Sequence, residues 1–400
     1  MKILHIIWSV DLRGGGPIEA VLQQARAYDN KEIEIEIACL DAPDDPGVLA
    51  CPLRVFALGE RRPPAGSWRY WLPWVKYGYQ ARMVPWLKRH LRSYDIIVVN
   101  GLWNYSIFAA RCALVGSGVP YVVFTHGMLD PWFKKTYPIK SFFKQIFWLF
   151  NEGPLLNSAN AVLFTTTDER ERSRGSFWPY RVNERVVNYG TADVAGDAPA
   201  QEETFRAALP ALGHRRYLLY LSRIHPKKGC DILIDAFAEV APTHPDLDLV
   251  IAGPDDVGLR TELETRARGR GVAARIHWPG MLIGDMKWGA FFGCDAFVLP
   301  SHQENFGIVV AEALACGKPT LISNKVQIWR EVEAGGVGLV ETDDAEGTVR
   351  LLQRFLALDA AAKTQMGAAA RDTFLDKFEI SKTSGTIAAA YREIIDERSS

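Results

Sequence analysis

Two carboxylates, Glu304 and Glu312, lie where a predicted strand passes through a loop into a helix. Residues 295–300 are a short apolar run, which is typical of a buried parallel strand, and the polar residues 301–305 form the loop at its carboxyl end. Ligands of α/β sheets bind at this end of the strands, so we expect both carboxylates near one crevice. Carboxylates accept hydrogen bonds from hydroxyl groups, which makes this crevice a candidate sugar site.

The helix that follows this loop adds a place for an anion. Apolar residues recur at three- and four-residue steps from Phe306 or Gly307, until Gly317 and Pro319 end the helix. Its first backbone amides, including that of Ile308, would point at a bound anion. A site that binds a phosphate between two carboxylates, which in turn bind hydroxyl groups, would suit a sugar nucleotide.

Arg223 and Lys228 form a second candidate anion site. They come directly after the predicted strand at residues 217–222 and before a helix that begins near Cys230. Arginine supplies a planar pair of donors and lysine a point charge, and the helix dipole adds to both, so this turn suits a diphosphate. The plain structural alternative is a solvated basic turn.

A histidine and a glycine-rich loop lie at comparable positions earlier in the chain. His126 follows the apolar strand at residues 121–125 and precedes a glycine. The loop at residues 11–16 follows the first strand, and glycines such as Gly15 and Gly16 let a ligand approach the backbone closely. This loop lacks the third glycine of a dinucleotide fingerprint, so the pattern disfavours a dehydrogenase.

The spacing of Glu304 and Glu312, followed by Ala-Cys-Gly-Lys-Pro at residues 315–319, resembles the E-x7-E signature of retaining GT-B glycosyltransferases of the group 1, family 4 type. Arg223 and Lys228 likewise resemble that family's R-x4-K motif. The resemblance implies an α/β protein of GT-B fold, in which two Rossmann-like, doubly wound parallel-sheet domains face a central cleft.

The resemblance also implies roles for individual residues. It makes His126 face the transferred sugar and Glu304 hold the sugar hydroxyl groups, both as catalytic residues. Arg223 and Lys228 complete the catalytic set by stabilising charge on the leaving diphosphate. Glu312 would bind the ribose. The other residues implied in donor binding come from the glycine loop, two strand-end turns and the helix start: Gly15, Gly16, Gly253, Met281, Leu282, Asn305, Phe306, Gly307 and Ile308.

The implied function is transfer of a hexose-type sugar from a UDP- or GDP-sugar to an acceptor, with retention of the anomeric configuration. The sugar nucleotide is a co-substrate, and we expect no cofactor and no metal, because Arg223, Lys228 and a helix dipole can neutralise the diphosphate. Asp246 and Asp248 form a D-x-D pair, which we interpret as a solvated strand edge. Two alternatives stay open, a sugar-nucleotide epimerase of GT-B fold and a catalytically idle sugar-nucleotide-binding protein.

Length, charge and cysteines restrict the class of protein further. The 400 residues suggest two domains, predicted at residues 1–195 and 196–380, with a C-terminal helix at 381–400 that packs back toward the first domain. The formal net charge of -1 disfavours a nucleic-acid binder, whereas a net of +6 over residues 1–190 suggests an anionic partner for the first domain. Six cysteines without a C-x-x-C pair, and no recognisable signal peptide or membrane span, predict a cytoplasmic protein.

Two aromatic stretches of the first domain suggest a membrane surface. Residues 67–92 interleave Trp and Tyr with basic residues, which suits sugar stacking or a membrane interface as well as core packing. Residues 138–150 have helical periodicity, and we expect their apolar face to pack on the sheet. Lys140, Lys144 and Trp148 would then meet anionic headgroups or a lipid-diphosphate acceptor. We therefore expect a lipid-linked or cell-surface glycan acceptor and a peripheral location on the inner face of the membrane.

Overall fold

The structure of the protein is a computed structural model that describes residues 1–12, 16–28, 32–64, 66–136 and 138–399. The chain divides into two compact units. The first combines Met1–Tyr189 with Ile380–Ser400, and the second is Gly190–Glu379.

The first unit is built on a parallel sheet. Seven strands are found among its described residues: β1 (Lys2–Ile6), β2 (Glu34–Cys39), β3 (Arg54–Ala57), β4 (Ile96–Asn100), β5 (Tyr121–Phe124), β6 (Ala161–Phe164) and β7 (Glu184–Val186). Their order is β3-β2-β1-β4-β5-β6-β7, so the direction of winding reverses between β1 and β4. Such a reversal opens a crevice at the carboxyl ends of the two strands.

Helices cover both faces of this sheet. Alternate residues of β4 belong to two separate apolar clusters, Ile97 and Val99 to one and Ile96 and Val98 to the other, because successive strand side chains point to opposite faces. The sheet is therefore doubly wound, as predicted. The helices between its strands are α1 (Gly16–Ala27), α2 (Pro46–Ala50), α3 (Pro73–Tyr77), α4 (Met83–His90), α5 (Tyr105–Leu114), α6 (Trp132–Thr136), α7 (Pro138–Phe147), α8 (Gly153–Asn157) and α9 (Thr167–Ser173).

The second unit repeats this plan with a smaller parallel sheet. Between residues 190 and 379, all of which are described, six strands form: β8 (Arg216–Leu221), β9 (Leu247–Ala252), β10 (Ile276–Gly280), β11 (Ala296–Leu299), β12 (Thr320–Ser323) and β13 (Gly338–Glu341). The order is β10-β9-β8-β11-β12-β13, so the winding reverses between β8 and β11. The predicted diphosphate turn and the predicted sugar loop follow these two strands.

The helices of the second unit alternate with its strands, and one last helix returns to the first unit. Those of the second unit are α10 (Ala198–Ala208), α11 (Cys230–Val240), α12 (Arg260–Gly269), α13 (Gly284–Gly293), α14 (Ile308–Ala315), α15 (Trp329–Gly335), α16 (Ala345–Leu356) and α17 (Ala360–Thr373). The last helix, α18 (Ile380–Ser399), buries Ile387, Tyr391 and Ile394 in the first unit's core. The Tyr28 hydroxyl donates a hydrogen bond of 2.9 Å to the Ser384 carbonyl. Within the described residues, no helix is both long and apolar enough to cross a bilayer.

The expectation for residues 138–150 is wrong in its orientation. The apolar face of α7 is exposed, whereas Trp148 is fully buried. Trp148 lies on the side of the helix opposite these exposed residues, as does the buried Ser141, so this opposite side is the one that faces the interior of the first unit. Its ring stacks on Phe177 at 5.3 Å, and its Nε1–H donates to the Pro179 carbonyl at 2.8 Å.

The interpretation of Asp248 as a solvated residue is also wrong. It lies on β9, between β8 and β10, and is 2% exposed. His277 Nε2 lies 2.8 Å from one of its carboxylate oxygens, and Arg215 Nη2 lies 2.8 Å from the other. A carboxylate on a central strand needs such partners, because burying an unpaired charge is costly. Asp246 remains more than half exposed and pairs with Arg216.

Candidate functional site

An ion pair joins the two loops at the winding reversal of the second sheet. Lys228, in the turn after β8, donates from Nζ to a carboxylate oxygen of Glu304, in the loop after β11. The side chains are 5% and 18% exposed, so the pair is largely withdrawn from water. The two motifs that the sequence placed 76 residues apart therefore meet directly.

Backbone hydrogen bonds hold the Glu304 loop from both sides. The His302 amide donates to the Lys227 carbonyl at 2.8 Å, which ties this loop to the turn after β8. On its other side, the Glu304 amide donates to the Lys325 carbonyl at 3.1 Å, and the Gln327 amide donates to the Asn305 carbonyl at 3.1 Å. The carboxylate is thus carried by a braced segment between β8 and β12.

The surroundings of Glu304 keep it ionised. Burial alone would raise the pKa of this carboxyl, but the nearby ammonium groups of Lys228 and Lys227 and the Asn305 amide outweigh burial and lower the pKa below its ordinary value. Because folding lowers the pKa of Glu304, its ionised carboxylate stabilises the folded state at neutral pH. This contribution to folding stability is lost as the pH falls through the folded-state pKa.

The helix N-terminus predicted near Glu304 is present, with its first residue at Ile308. Gly307 is the N-cap and has φ = 72°, a left-handed conformation that glycine adopts without the penalty of a side chain. Glycine also has no side chain that could cap the first turn, so the amides and dipole of α14 face this loop. The Phe306 ring packs edge-on against Phe378 at 5.7 Å and so belongs to the core.

Glu312 is buried on α14, where it pairs with a residue that sequence reasoning missed. Lys287 Nζ of α13 lies 2.6 Å from Glu312 Oε1. No motif marks Lys287, since it lies on a different helix and only the folded chain brings it to Glu312. A ribose hydroxyl near Glu312 would therefore meet a carboxylate and an ammonium group together.

The remaining predicted donor residues of the second unit lie along the same edge of its sheet. Arg223 follows β8 and is exposed. Gly253 follows β9 so close to β8 that a Cβ atom would lie 1.9 Å from the Ser222 carbonyl oxygen. Met281 and Leu282 follow β10, the first 63% exposed and the second buried. The carboxyl ends of four neighbouring strands thus supply this set.

In the first unit, His126 follows β5 in a strained conformation. Its φ is 48°, which is uncommon for a residue with a side chain. Its Nε2 lies 3.2 Å from Asn100 Oδ1, and the Asn100 amide nitrogen lies 3.3 Å from the carbonyl oxygens of Ile6 and Val98. This orientation makes Oδ1 the acceptor for a proton on Nε2. Burial lowers the pKa of His126 to about 4, so the ring is neutral at pH 7.

Glu169 braces the His126 loop and was not recognised from the sequence. One of its carboxylate oxygens accepts from the Thr125 hydroxyl and the Gly127 amide, both at 2.7 Å. The other accepts from the Thr165 amide and hydroxyl, both at 2.8 Å. Glu169 is 2% exposed and lies on α9, so it joins the loops after β5 and β6. It is the third residue of α9, where a glutamate commonly caps the helix, so the sequence gave no indication of this role.

A cavity of about 330 Å³ lies at the winding reversal of the first sheet. Its wall includes Asn100, the partner of His126, and the aromatic residues Trp8 and Trp103. Pro17 also lines it, next to Gly16, where α1 begins. Gly15 lies outside the described residues. The structure thus places Asn100, which contacts His126, and the start of α1 at the same edge of this sheet, where aromatic rings could stack on a sugar.

Two family models match the chain, one in each half. The model described as glycosyl transferases group 1 matches residues 201–373, and that described as a glycosyl transferase 4-like domain matches residues 15–190. Together they span both units.

Individual relatives and solved structures agree with these matches. The chain is 28% identical over 212 residues to a D-inositol 3-phosphate glycosyltransferase of Rhodococcus erythropolis, an alignment that covers 50% of this chain and 47% of that relative. It is 28% identical over 251 residues to an alpha-D-kanosaminyltransferase of Streptomyces kanamyceticus, covering 61% of this chain and 63% of the relative. The chain therefore spans about half to two-thirds of the length of these curated relatives.

The crystal structure of Anabaena Alr3699/HepE in complex with UDP and glucose superposes with a TM-score of 0.75 at 18% identity, covering 98% of this chain and 100% of that one. This likeness shows the fold, with parallel sheets and winding reversals as described above. The chain is a member of the group 1, family 4 type of glycosyltransferases and has the GT-B fold.

Proposed function

We propose that this protein transfers a hexose-type sugar from a nucleoside-diphosphate sugar to a lipid-linked or cell-surface glycan acceptor, with retention of configuration and without a metal ion. The observation that carries the proposal is the Lys228–Glu304 pair at the winding reversal of the second sheet. The pair supports the proposal because an ammonium group suits a diphosphate and the adjacent carboxylate suits sugar hydroxyl groups. Arg223 and the N-terminus of α14 lie on the loops that this pair joins.

The chemistry follows from where charge develops. As the bond to the sugar breaks, negative charge builds on the leaving diphosphate, and Arg223, Lys228 and the α14 amides stabilise it. These groups do the work that a divalent ion does in other transferases. His126 is neutral, so it can hydrogen-bond a sugar hydroxyl without adding a positive charge. No side chain is assigned as a nucleophile; the leaving phosphate accepts the acceptor's proton on the same face of the sugar, which retains the configuration.

The choice of donor is supported by a structural neighbour. The HepE crystal structure contains UDP and glucose, and it shares the fold over nearly the whole chain. We therefore propose a UDP-hexose as donor, with a GDP-hexose as the alternative. Glu312 and Lys287 would contact the ribose, and the turn at Met281 and Leu282 would lie by the base.

The choice of acceptor is supported by a large exposed apolar surface on the first unit. We define the α7 apolar face by six exposed apolar residues of α7 and of the π-helix that continues it (Trp148–Glu152): Ile139, Phe142, Phe143, Ile146, Phe147 and Phe150. The Tyr77 ring of α3 lies 6.0 Å from that of Phe147, and Trp68, Trp71 and Trp74 are more than half exposed nearby in sequence. Apolar side chains flanked by lysines are typical of helices that insert into an anionic bilayer surface.

The α7 apolar face supports the interpretation that this is a peripheral membrane protein, bound on the side of the membrane where sugar nucleotides are made. We propose a cytoplasmic location on the inner face of the membrane. The six cysteines are all free thiols, as expected of a reducing compartment.

Replacing Lys228 by alanine should lower turnover by roughly 10²–10³, because one stabilising charge at the leaving diphosphate is removed. Turnover is measured as release of UDP or GDP in the presence of EDTA, with a membrane lipid extract as acceptor. Arg223→Ala should act in the same direction. Lys363→Ala, in the same unit but on α17, is the control and should retain full turnover.

Three outcomes would contradict this assignment. Undiminished turnover in a folded Lys228→Ala variant would show that Lys228 does not stabilise the leaving diphosphate. Activity lost in EDTA and restored by Mg²⁺ or Mn²⁺ would contradict metal independence. A donor that is epimerised without acceptor, or bound without turnover, would favour the epimerase or the binding protein.

Replacing Glu169 by glutamine should lower kcat with little change in the KM for the donor, because an amide has one acceptor oxygen and cannot keep all four hydrogen bonds that hold the His126 loop. Each lost bond to a charged acceptor is worth about 1.5–3 kcal/mol. Glu171→Gln, exposed on the same helix, is the matched control. Equal kcat in Glu169→Gln and Glu171→Gln would show that the brace does not position His126.

Replacing Phe142 and Phe150 by serine should weaken binding to anionic phospholipid vesicles at least about tenfold, because a buried phenylalanine contributes about 1.5–3 kcal/mol. Cosedimentation at low salt gives the measurement. Leu49→Ser with Val115→Ser, at exposed sites elsewhere in the first unit, is the control pair. Wild-type protein that stays in the supernatant as a dimer, with the α7 apolar face covered by a second copy, would contradict the membrane proposal.

A further inference from the structure

His5, on β1, is a buried histidine to which the proposed reaction so far gives no role. It is 1% exposed and lies between Leu4 and Ile6, both of which are fully buried. Within the described residues its Nε2 has no hydrogen-bond partner, and burial together with the nearby His126 lowers the pKa of His5 to about 3. A buried polar atom without a partner destabilises the folded state, so packing alone does not explain a histidine here.

The other ring nitrogen of His5 holds the side chain of Asn100. Asn100 lies on the neighbouring strand, β4, and its amide nitrogen is 3.3 Å from His5 Nδ1 and from the carbonyl oxygens of Ile6 and Val98. Carbonyl oxygens can only accept, so the amide group of Asn100 donates toward them. His5 Nδ1 faces the same donor and therefore carries no proton, which leaves the proton of the His5 ring on Nε2.

The orientation of the Asn100 side chain also determines the tautomer of His126. Its Oδ1 lies 3.2 Å from His126 Nε2, and this oxygen can only accept, so the proton of the neutral His126 ring is on Nε2. Nδ1 of His126 is then an unprotonated acceptor. The His126 ring is half-buried, and Asn100 lines the 330 Å³ cavity at the winding reversal of the first sheet, so this acceptor belongs to a part of the unit that a ligand can reach.

We propose that His5 and Asn100 are positioning residues that hold His126 in one tautomer, so that its Nδ1 accepts a hydrogen bond from a hydroxyl group of the transferred sugar. This assignment rests on the proposed glycosyl transfer and adds the direction of the hydrogen bond to the sugar. A hydroxyl group can donate to Nδ1, whereas a carboxylate at the same place would direct lone pairs at a lone pair. The site therefore selects a sugar that presents a hydroxyl group here over one that presents an ionised acid.

The tautomer can be determined directly from the ring 15N shifts of the full chain, because protonated and unprotonated imidazole nitrogens differ widely in shift. With His126→Ala and His5→Asn as assignment references, the wild type at pH 7 should show an unprotonated Nδ1 and a protonated Nε2 at both histidines. Asn100→Leu removes the acceptor of the Nε2 proton and should populate the other tautomer of His126 as well. A protonated Nδ1 at His126 in the wild type overturns the proposal.

Turnover of UDP-glucose, measured as UDP release with a membrane lipid extract as acceptor, separates positioning from packing. His5→Leu removes the buried unpartnered nitrogen and should not lower Tm. It should nevertheless lower kcat about fivefold, as expected for one lost hydrogen bond, with the KM for the donor within about twofold. His5→Asn should restore most of kcat, because its Oδ1 replaces Nδ1 as the acceptor for Asn100.

The control for these variants is Tyr121→Phe. It removes another buried polar group of the same sheet, the Tyr121 hydroxyl that donates to the Leu155 carbonyl at 2.7 Å, and should retain the kcat of the wild type. If His5→Leu lowers Tm and kcat together, and no more than Tyr121→Phe does, His5 is only a packing residue and the proposal is overturned.

The direction of the hydrogen bond is tested with UDP-glucose analogues in which single hydroxyl groups are replaced by fluorine, which cannot donate. At one sugar position this replacement should reduce kcat/KM at least about fivefold more in the wild type than in His126→Ala. Equal reductions in the two proteins at every position overturn the hydrogen bond to Nδ1. Turnover by a protein whose His126 Nδ1 is protonated overturns this inference and leaves the proposed function standing, whereas an unprotonated Nδ1 without turnover of any sugar nucleotide upholds the tautomer and contradicts the proposed function.

Discussion

The second unit of this protein depends on the buried ion pair between Lys228 and Glu304. Two charges withdrawn from water are stable only when each compensates the other, so the turn after β8 and the loop after β11 must stay together. The pair keeps the carboxylate of Glu304 ionised in spite of its burial. It also presents the ammonium of Lys228 beside the start of α14, where a diphosphate would find both a cation and backbone amides.

The topology of each sheet brings loops that are distant along the chain into contact. In both units the winding reverses near the middle of a parallel sheet, between β1 and β4 and between β8 and β11. Loops that follow neighbouring parallel strands end at the same edge, whatever their distance along the chain. In the first unit, a cavity with aromatic residues in its wall lies at the winding reversal. In the second unit, the ion pair lies there.

Much of this arrangement could be predicted from the sequence, because buried parallel strands are apolar runs and the charged motifs follow them directly. The short strands β3 and β7 were missed, since neither carries a long apolar run. Glu169 and Lys287 were missed for another reason: a solitary charged residue on a helix has no distinguishing pattern, and Thr125, Gly127 and Glu312, which they contact, are distant in sequence. The orientation of α7 was wrong because helical periodicity shows which residues share a face but not which face meets the core, and the buried side is the one that carries Ser141 and Trp148.

The central claim, that the Lys228–Glu304 pair organises the donor site, is tested most directly by a double-mutant cycle. The free energy of unfolding of the second unit would be measured in urea for the wild type, Lys228→Met, Glu304→Gln and the double variant. Each single change leaves a buried group without its counter-charge, so the double variant should be less destabilised than the two changes added together, with a coupling energy of about 1–3 kcal/mol. Single effects that add to within about 0.5 kcal/mol would show that the pair does not hold the two loops together.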